Sequence, residues 1–127
     1  MRDSSSPFAR LVVWRAAVDF GKQVYAVTAN YPSTERFGLT AQTRRAAVSV
    51  VANIAEGSCR RGPKAFASFC HIAYGSLREV EALLIFAAEL GMLPPKDATT
   101  LQQNLASVSR QLYKLTRSLE EAARKTS

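Results

Sequence analysis

The chain has 127 residues, 47% hydrophobic and 21% charged, which is the composition of one globular domain and excludes a disordered chain. Lys and Arg number 17 against 10 Asp and Glu, a formal net charge of +7, so a polyanionic partner is expected: nucleic acid, an acidic membrane surface or an acidic protein. The longest nearly apolar run, residues 46–55, is broken by Ser49 and Asn53; it is about half of a membrane span, and the N-terminus carries no long apolar core of a secretory signal.

The first predicted helix covers residues 8 to about 31. Leu11, Trp14, Val18, Gly21, Tyr25 and Thr28 form one stripe, and Val13, Ala17, Phe20, Val24, Val27 and Tyr31 a second beside it. Together they make an apolar face wider than one partner helix covers, and Pro32 ends the helix. The second helix begins at Ser33 or, after Gly38, at Leu39, and runs to Arg60. Between Ala46 and Ala55 it is apolar nearly all round, so deep burial is expected. One narrow polar stripe remains: Gln42, Arg45, Ser49, Asn53, Glu56 and Arg60.

Gly57 and Gly62 read as punctuation, and Pro63 suits the first turn of a third helix. That helix runs to Leu90 with Phe66, Phe69, Ile72, Ala73, Leu77, Val80, Leu83, Leu84, Ala87 and Leu90 on its core face. Gly91 is a left-handed cap and Pro94-Pro95 forbids continuation. Asp97 reads as the N-cap of a fourth helix, whose Leu101, Leu105, Val108, Leu112, Leu115, Leu119 and Ala122 form a narrow seam. Four helices with short connections predict an all-α fold: one domain over 1–127, an up-down-up-down antiparallel four-helix bundle. Residues 1–7 and 125–127 are expected to be flexible.

The candidates for catalysis are weak. Cys70 and His71 are adjacent, so on a helix they point about 100° apart, and with Cys59 they make three soft ligands at no zinc spacing. No metal site or cofactor is expected. A Cys59–Cys70 disulfide is disfavoured by the stagger of the two helices, and a cytoplasmic protein with reduced thiols is expected. Residues 57–64 have the glycines of a phosphate loop, but Pro63 breaks the Gly-Lys-Ser/Thr and no strand precedes them. Ser49, His71 and Glu56 lack a nucleophile elbow or an oxyanion nest. Glu79 and Glu81 are no Glu-x-x-His pair, which removes a di-iron bundle. The reading is a non-enzyme that binds.

Two features carry more. Arg45, Ser49, Asn53 and Glu56 lie on the stripe of a helix expected to be buried, and buried polar groups need partners; a polar network fixing helix register or a subunit interface is expected, with Glu56 reaching Arg60 one turn on. The basic residues are uneven. Residues 36–64 hold Arg36, Arg44, Arg45, Arg60, Arg61 and Lys64 against the single acid Glu56, an excess of five, and the fourth helix carries Arg110, Lys114, Arg117 and Arg124, with Glu121 inside that stripe. A solvated face and a phosphate-binding face both fit this pattern. The aromatic residues fall mostly at core positions, which weakens the case for a platform that stacks bases.

The segment from Trp14 to Gly91 resembles the bacterial four-helix-bundle proteins related to those encoded in intervening sequences of 23S ribosomal RNA genes. The matching residues are Trp14 and Tyr25, Tyr31-Pro32, Glu35-Arg36-Phe37-Gly38-Leu39, Gln42-Thr43-Arg44-Arg45-Ala46, Ser49 and Ala52-Asn53-Ile54-Ala55-Glu56-Gly57. Phe66, Phe69, Gly75-Ser76-Leu77, Glu79 and Leu90-Gly91 complete the set. Val51 stands where such proteins often have proline, so the second helix is expected to be straighter. The resemblance implies a four-helix bundle in a ring-like homopentamer, similar to the accessory protein of diversity-generating retroelements, which is basic and binds nucleic acid and a reverse transcriptase. It carries over no catalytic residue.

The expected function is therefore a basic homo-oligomer that binds RNA or DNA through phosphates, with Arg44, Arg60, Arg61, Lys64, Arg110, Lys114 and Arg117 as the contacting residues. The alternative is an oligomeric adaptor that binds only protein.

Overall fold

The structure, a computed structural model, describes residues 6–126. Those residues form four α-helices, α1 (Val12–Thr28), α2 (Leu39–Ser58), α3 (Pro63–Glu89) and α4 (Pro95–Thr126), with 3-10 turns at Pro7–Arg10 and Ser33–Glu35. Residues 1–5 and Ser127, within the ends expected to be flexible, lie outside the described residues; Pro7 opens a 3-10 turn, and Lys125 and Thr126 stand in the last turn of α4. Each helix packs on two neighbours in the cycle α1–α2–α3–α4–α1. Cross-helix pairs give the directions: Arg44 meets Tyr25 and Thr28, Ser49 meets Ser76 while Gln42 meets Glu79, Arg78 meets Ser109 while His71 meets Glu120, and Asn104 meets Gln23. All four contacts are antiparallel, so the architecture is the expected up-down-up-down bundle.

Local chemistry sets the helix ends. The first helix starts later than its apolar stripe, because Leu11 is extended (φ −77°, ψ 122°) between the Pro7–Arg10 turn and Val12. At the start of α2 the Leu39 N–H donates to Glu35 Oε1 at 3.0 Å, satisfying one of the free donors of the helix. Gly91 (φ 78°) ends α3 in a Schellman motif: the Met92 N–H donates to Ala87 O and the Gly91 N–H to Ala88 O. Asp97 is not the N-cap of α4. The helix begins two residues earlier at Pro95, and the Ala98 N–H donates to Pro94 O at 2.9 Å. Proline fits the first helical position, and Asp97 in the first turn favours the positive end of the helix dipole.

The core is built from Val13, Ala17, Phe20 and Val24 of α1, Ala46, Val50 and Ile54 of α2, Leu77, Val80 and Leu84 of α3, and Leu101, Leu105, Val108 and Leu112 of α4. The second stripe of α1 is thus the core stripe; the first flanks it and leaves Tyr25 43% exposed. The expectation that α2 is buried nearly all round fails within one chain: Val48 is 50% exposed and Ala52 is exposed. Ile72 on α3 and Leu90 at its C-cap, read from the period as core, are also half exposed.

Gly57 is inside α2, and buried, not past its end. A Cβ there would stand 2.7 Å from Phe69 Cβ and 2.9 Å from Phe66 Cδ1. The glycine lets α2 and α3 close together just before their turn.

Candidate nucleic-acid interface

The seven basic residues expected to contact phosphate fall in separate places. Arg44 sits between α1 and α2. Its Nε donates to Thr28 Oγ1 at 2.8 Å, its Nη2 donates to Tyr25 O at 3.1 Å, and its guanidinium lies 4.5 Å from the Tyr25 ring centroid. Thr28 in turn donates to Val24 O at 2.8 Å. An arginine that reaches the last carbonyls of α1 complements the negative end of its dipole, so Arg44 is engaged in holding α1 on α2. The sequence signal that could have shown this was its place one turn into α2, opposite the end of α1.

Arg60 closes α2. Its Nη2 stands 2.5 Å from Glu56 Oε2, and its guanidinium lies 5.0 Å from the Phe69 ring centroid. Arg61 is exposed in the α2–α3 turn. Lys64, in the first turn of α3, faces the end of α4 across a groove of about 560 Å³ lined also by Ser68, His71, Glu120 and Arg124.

Arg110, Lys114 and Arg117 are exposed on successive turns of α4. None of the three stands in an ion pair with a carboxylate among the described residues, whereas Arg15, Arg60, Arg78 and Arg124 do. Three cations without a carboxylate partner thus fall on one face of α4, and Arg61 and Lys64 near the α2–α3 turn likewise stand in none of these pairs. Arg117 Nη1 donates to the Tyr113 hydroxyl at 2.9 Å, with its guanidinium 5.8 Å from the ring centroid.

The polar stripe of α2 forms one side of its seam with α3. Asn53 Nδ2 donates to Ser49 O at 2.8 Å and to Ser49 Oγ at 3.1 Å, and Ser49 Oγ lies 2.7 Å from Ser76 Oγ. Arg45 Nη2 donates to Gln42 Oε1, and Gln42 Nε2 donates to Glu79 Oε2 at 2.8 Å. Ser49 and Asn53 are half-buried. Glu56 is not: its side chain is 53% exposed, and Gln42 and Arg45 at the other end of the stripe are exposed too, so only the middle of the stripe is half-buried. The four residues thus line one seam without forming a closed network, and Glu56 pairs only with Arg60.

The sequence reading missed the α3–α4 seam. Arg78 Nη2 donates to Tyr74 Oη at 2.9 Å and to Ser109 Oγ at 2.7 Å, and its Nη1 stands 2.5 Å from Glu81 Oε1. These bonds lower the Tyr74 pKa, chiefly through the donation from Arg78, and raise that of Arg78, chiefly through Tyr74 and then Glu81. His71 Nε2 lies 2.8 Å from Glu120 Oε2. Tyr74, Tyr113, His71, Thr116, Arg117 and Glu120 surround a recess of about 200 Å³. Tyr113, 53% exposed, is an exception on this side to the expectation that the aromatic residues fall mostly in the core; Phe37 and Phe86 are exposed elsewhere. Tyr113 falls between Arg110, Lys114 and Arg117 in the sequence, and that interleaving was the available signal.

Cys70 is buried against α4, and burial pushes its thiol up to about 11 despite a hydrogen bond with Thr116. It is therefore poorly suited to act as a nucleophile. Cys59 is exposed, and both cysteines are free. Among the described residues no group of three or more His, Cys, Asp or Glu could hold a metal ion, and no helix is long and apolar enough to cross a membrane.

The chain matches the model of the 23S rRNA-intervening sequence protein family over residues 9–114. In structure it is similar to a protein of unknown function from the S23 ribosomal protein family of Bacteroides thetaiotaomicron VPI-5482, with a TM-score of 0.77 at 17% identity, covering 84% of this chain and 96% of that one. At that identity the likeness speaks for the fold. No protein of curated function matches. A match that runs from α1 into α4, together with the bundle itself, places this chain in the 23S rRNA-intervening sequence protein family.

Proposed function

We propose that the protein is a non-catalytic, self-associating bundle that binds nucleic acid through its phosphates. The observation that carries the reading is the edge of α4, where Arg110, Lys114 and Arg117 are exposed and unpaired by carboxylates on three successive turns. Arginine forks suit phosphate oxygens, and in a ring this edge recurs once per subunit, so modest patches add.

Self-association rests on a different observation. Val18, Gly21, Tyr25, Val48 and Val51, with Lys22 beside them, line a largely apolar groove between α1 and α2 that is open among the described residues. Ile72 and Phe86 of α3, and Leu90 at its C-cap, are each about half exposed. Large exposed apolar patches are uncommon on monomers. The pentamer implied by the resemblance would cover such surface.

Gel retention of RNA and DNA at about 50 mM salt, alongside light scattering, tests both parts. The reading expects retention of both nucleic acids with little sequence preference and a mass above that of one chain. Absence of retention would favour an adaptor that binds protein, and a monomer at micromolar concentration would remove the ring.

A further inference from the structure

The phosphate-binding reading leaves open which form of nucleic acid fits this surface. Phosphate contacts alone do not separate a duplex from a single strand. A single strand differs in offering unstacked bases, and a protein that selects it pairs a basic track with exposed aromatic rings.

Of the exposed aromatic side chains, Tyr113 lies on the basic edge of α4, between Arg110 and Arg117. Its hydroxyl is already satisfied by Arg117, so the ring is held in place at the rim of the α3–α4 recess. Tyr74 forms the opposite wall and is fixed in the same way by Arg78. Two rings, each anchored by an arginine one turn away, thus flank an opening between two helices. In the same lining, Glu120 is held by His71 and offers a carboxylate oxygen, an acceptor for the amino group of a base. Arg117 at the rim supplies charge for the phosphate beside that base. The recess continues past His71 and Glu120 into the larger groove that ends at Lys64, a basic residue at the far end of the track. The carboxylate in the middle suits a base edge and opposes a bare phosphate, which is why an unpaired nucleotide fits better than a free anion.

Building on the phosphate-binding reading, we infer that the α3–α4 recess takes an unpaired base, stacked on Tyr113 with its amino edge toward Glu120, and that the protein prefers single-stranded RNA or DNA to duplex.

Fluorescence anisotropy with a labelled single strand rich in A and C, and with the duplex of the same sequence, tests this on the full chain. Wild type is expected to bind the single strand more tightly. Stacking on one aromatic side chain is worth enough that Tyr113→Ala should weaken single-strand binding about ten-fold or more, with duplex affinity held within about two-fold because the phosphate contacts remain. Tyr113→Phe keeps the ring and should preserve the preference, and Glu120→Ala should reduce the preference for A- and C-rich strands over an all-U or all-T strand. Equal weakening of single strand and duplex by Tyr113→Ala, or no change in either, would overturn the inference while leaving phosphate binding in place. A wild type that binds neither probe would overturn both.

Discussion

Replacing Gly57 by alanine tests the packing of the bundle at its tightest point. Within a helix glycine costs up to roughly 0.5–1 kcal/mol relative to alanine, and less in a last turn such as the one that holds Gly57, so on propensity alone Gly57→Ala should stabilise slightly. The structure predicts the opposite. The new Cβ would lie 2.7 Å from Phe69 Cβ, 2.9 Å from Phe66 Cδ1 and 3.3 Å from Phe66 O, where carbon contacts are comfortable at roughly 3.5–4.0 Å. The Phe66 ring can swing aside, but Phe69 Cβ and Phe66 O move only with the α3 backbone. Separating α2 from α3 by up to about 1 Å also disturbs the Arg60–Phe69 contact. Overpacking of this kind costs about 1–3 kcal/mol, so after the propensity gain a net loss of about 1–2 kcal/mol is expected, a fall in Tm of roughly 4–8 °C for a domain of this size.

Urea unfolding followed by circular dichroism, at one fixed protein concentration because association contributes, reads this directly. Gly75 is the control: it is inside α3 with nothing within 4 Å of a built Cβ, so Gly75→Ala should gain about 0.5–1 kcal/mol. A Gly57→Ala protein as stable as wild type would refute the close approach of α2 and α3.

Three further outcomes follow from the geometry. Glu56→Ala should cost no more than about 0.5 kcal/mol, because the Glu56–Arg60 pair is half exposed; a larger loss, or a fall in mass by light scattering, would place the end of α2 in a subunit interface. The Cys70 thiol keeps its proton to about pH 11 when folded, against an ordinary value of 9.0. Between those values the unfolded chain has lost a proton that the native chain retains, so stability should fall as pH rises through the window, by at most about 1.4 kcal/mol per pH unit from this group; Cys70→Ala should flatten that part of a stability profile. In a thiol assay one cysteine, Cys59, should react in the native protein and two in denaturant.

The bundle was legible in the sequence because its signals are local. Apolar periods of three and four, proline after helix ends and Gly91 at a left-handed cap each act within one or two turns. What the period does not carry is which helix covers which face. The small-residue run of α2 reads as fully buried, yet one chain covers only the side that meets α1, α3 and the core, and Val48 is left half exposed. The same reason hides the role of Gly57, whose neighbours Phe66 and Phe69 come from another helix, and of Arg44, whose partners are carbonyl and hydroxyl oxygens of α1. Asp97 does not cap α4 because the second residue of Pro94-Pro95, besides barring continuation of α3, is a fitting first residue of α4. In the candidate site the basic edge of α4 could be seen as a stripe, since its members are three and four residues apart. The recess beside it could not: it depends on the register of α3 against α4, which brings His71 to Glu120 and Arg78 to Ser109 across 49 and 31 residues of chain.

Nucleic-acid affinity measured as a function of salt, for wild type and for the variant with Arg110, Lys114 and Arg117 all changed to Glu, addresses the proposed function most directly. If about five phosphates are neutralised, log affinity for duplex DNA should fall against log salt with a slope of roughly −4 to −5. The variant should fold, since all three side chains are exposed, and should bind more weakly with a flatter slope. A wild type that shows no binding at about 50 mM salt, or a variant that keeps both the affinity and the slope, would contradict the proposal and leave the edge of α4 as a solvated face.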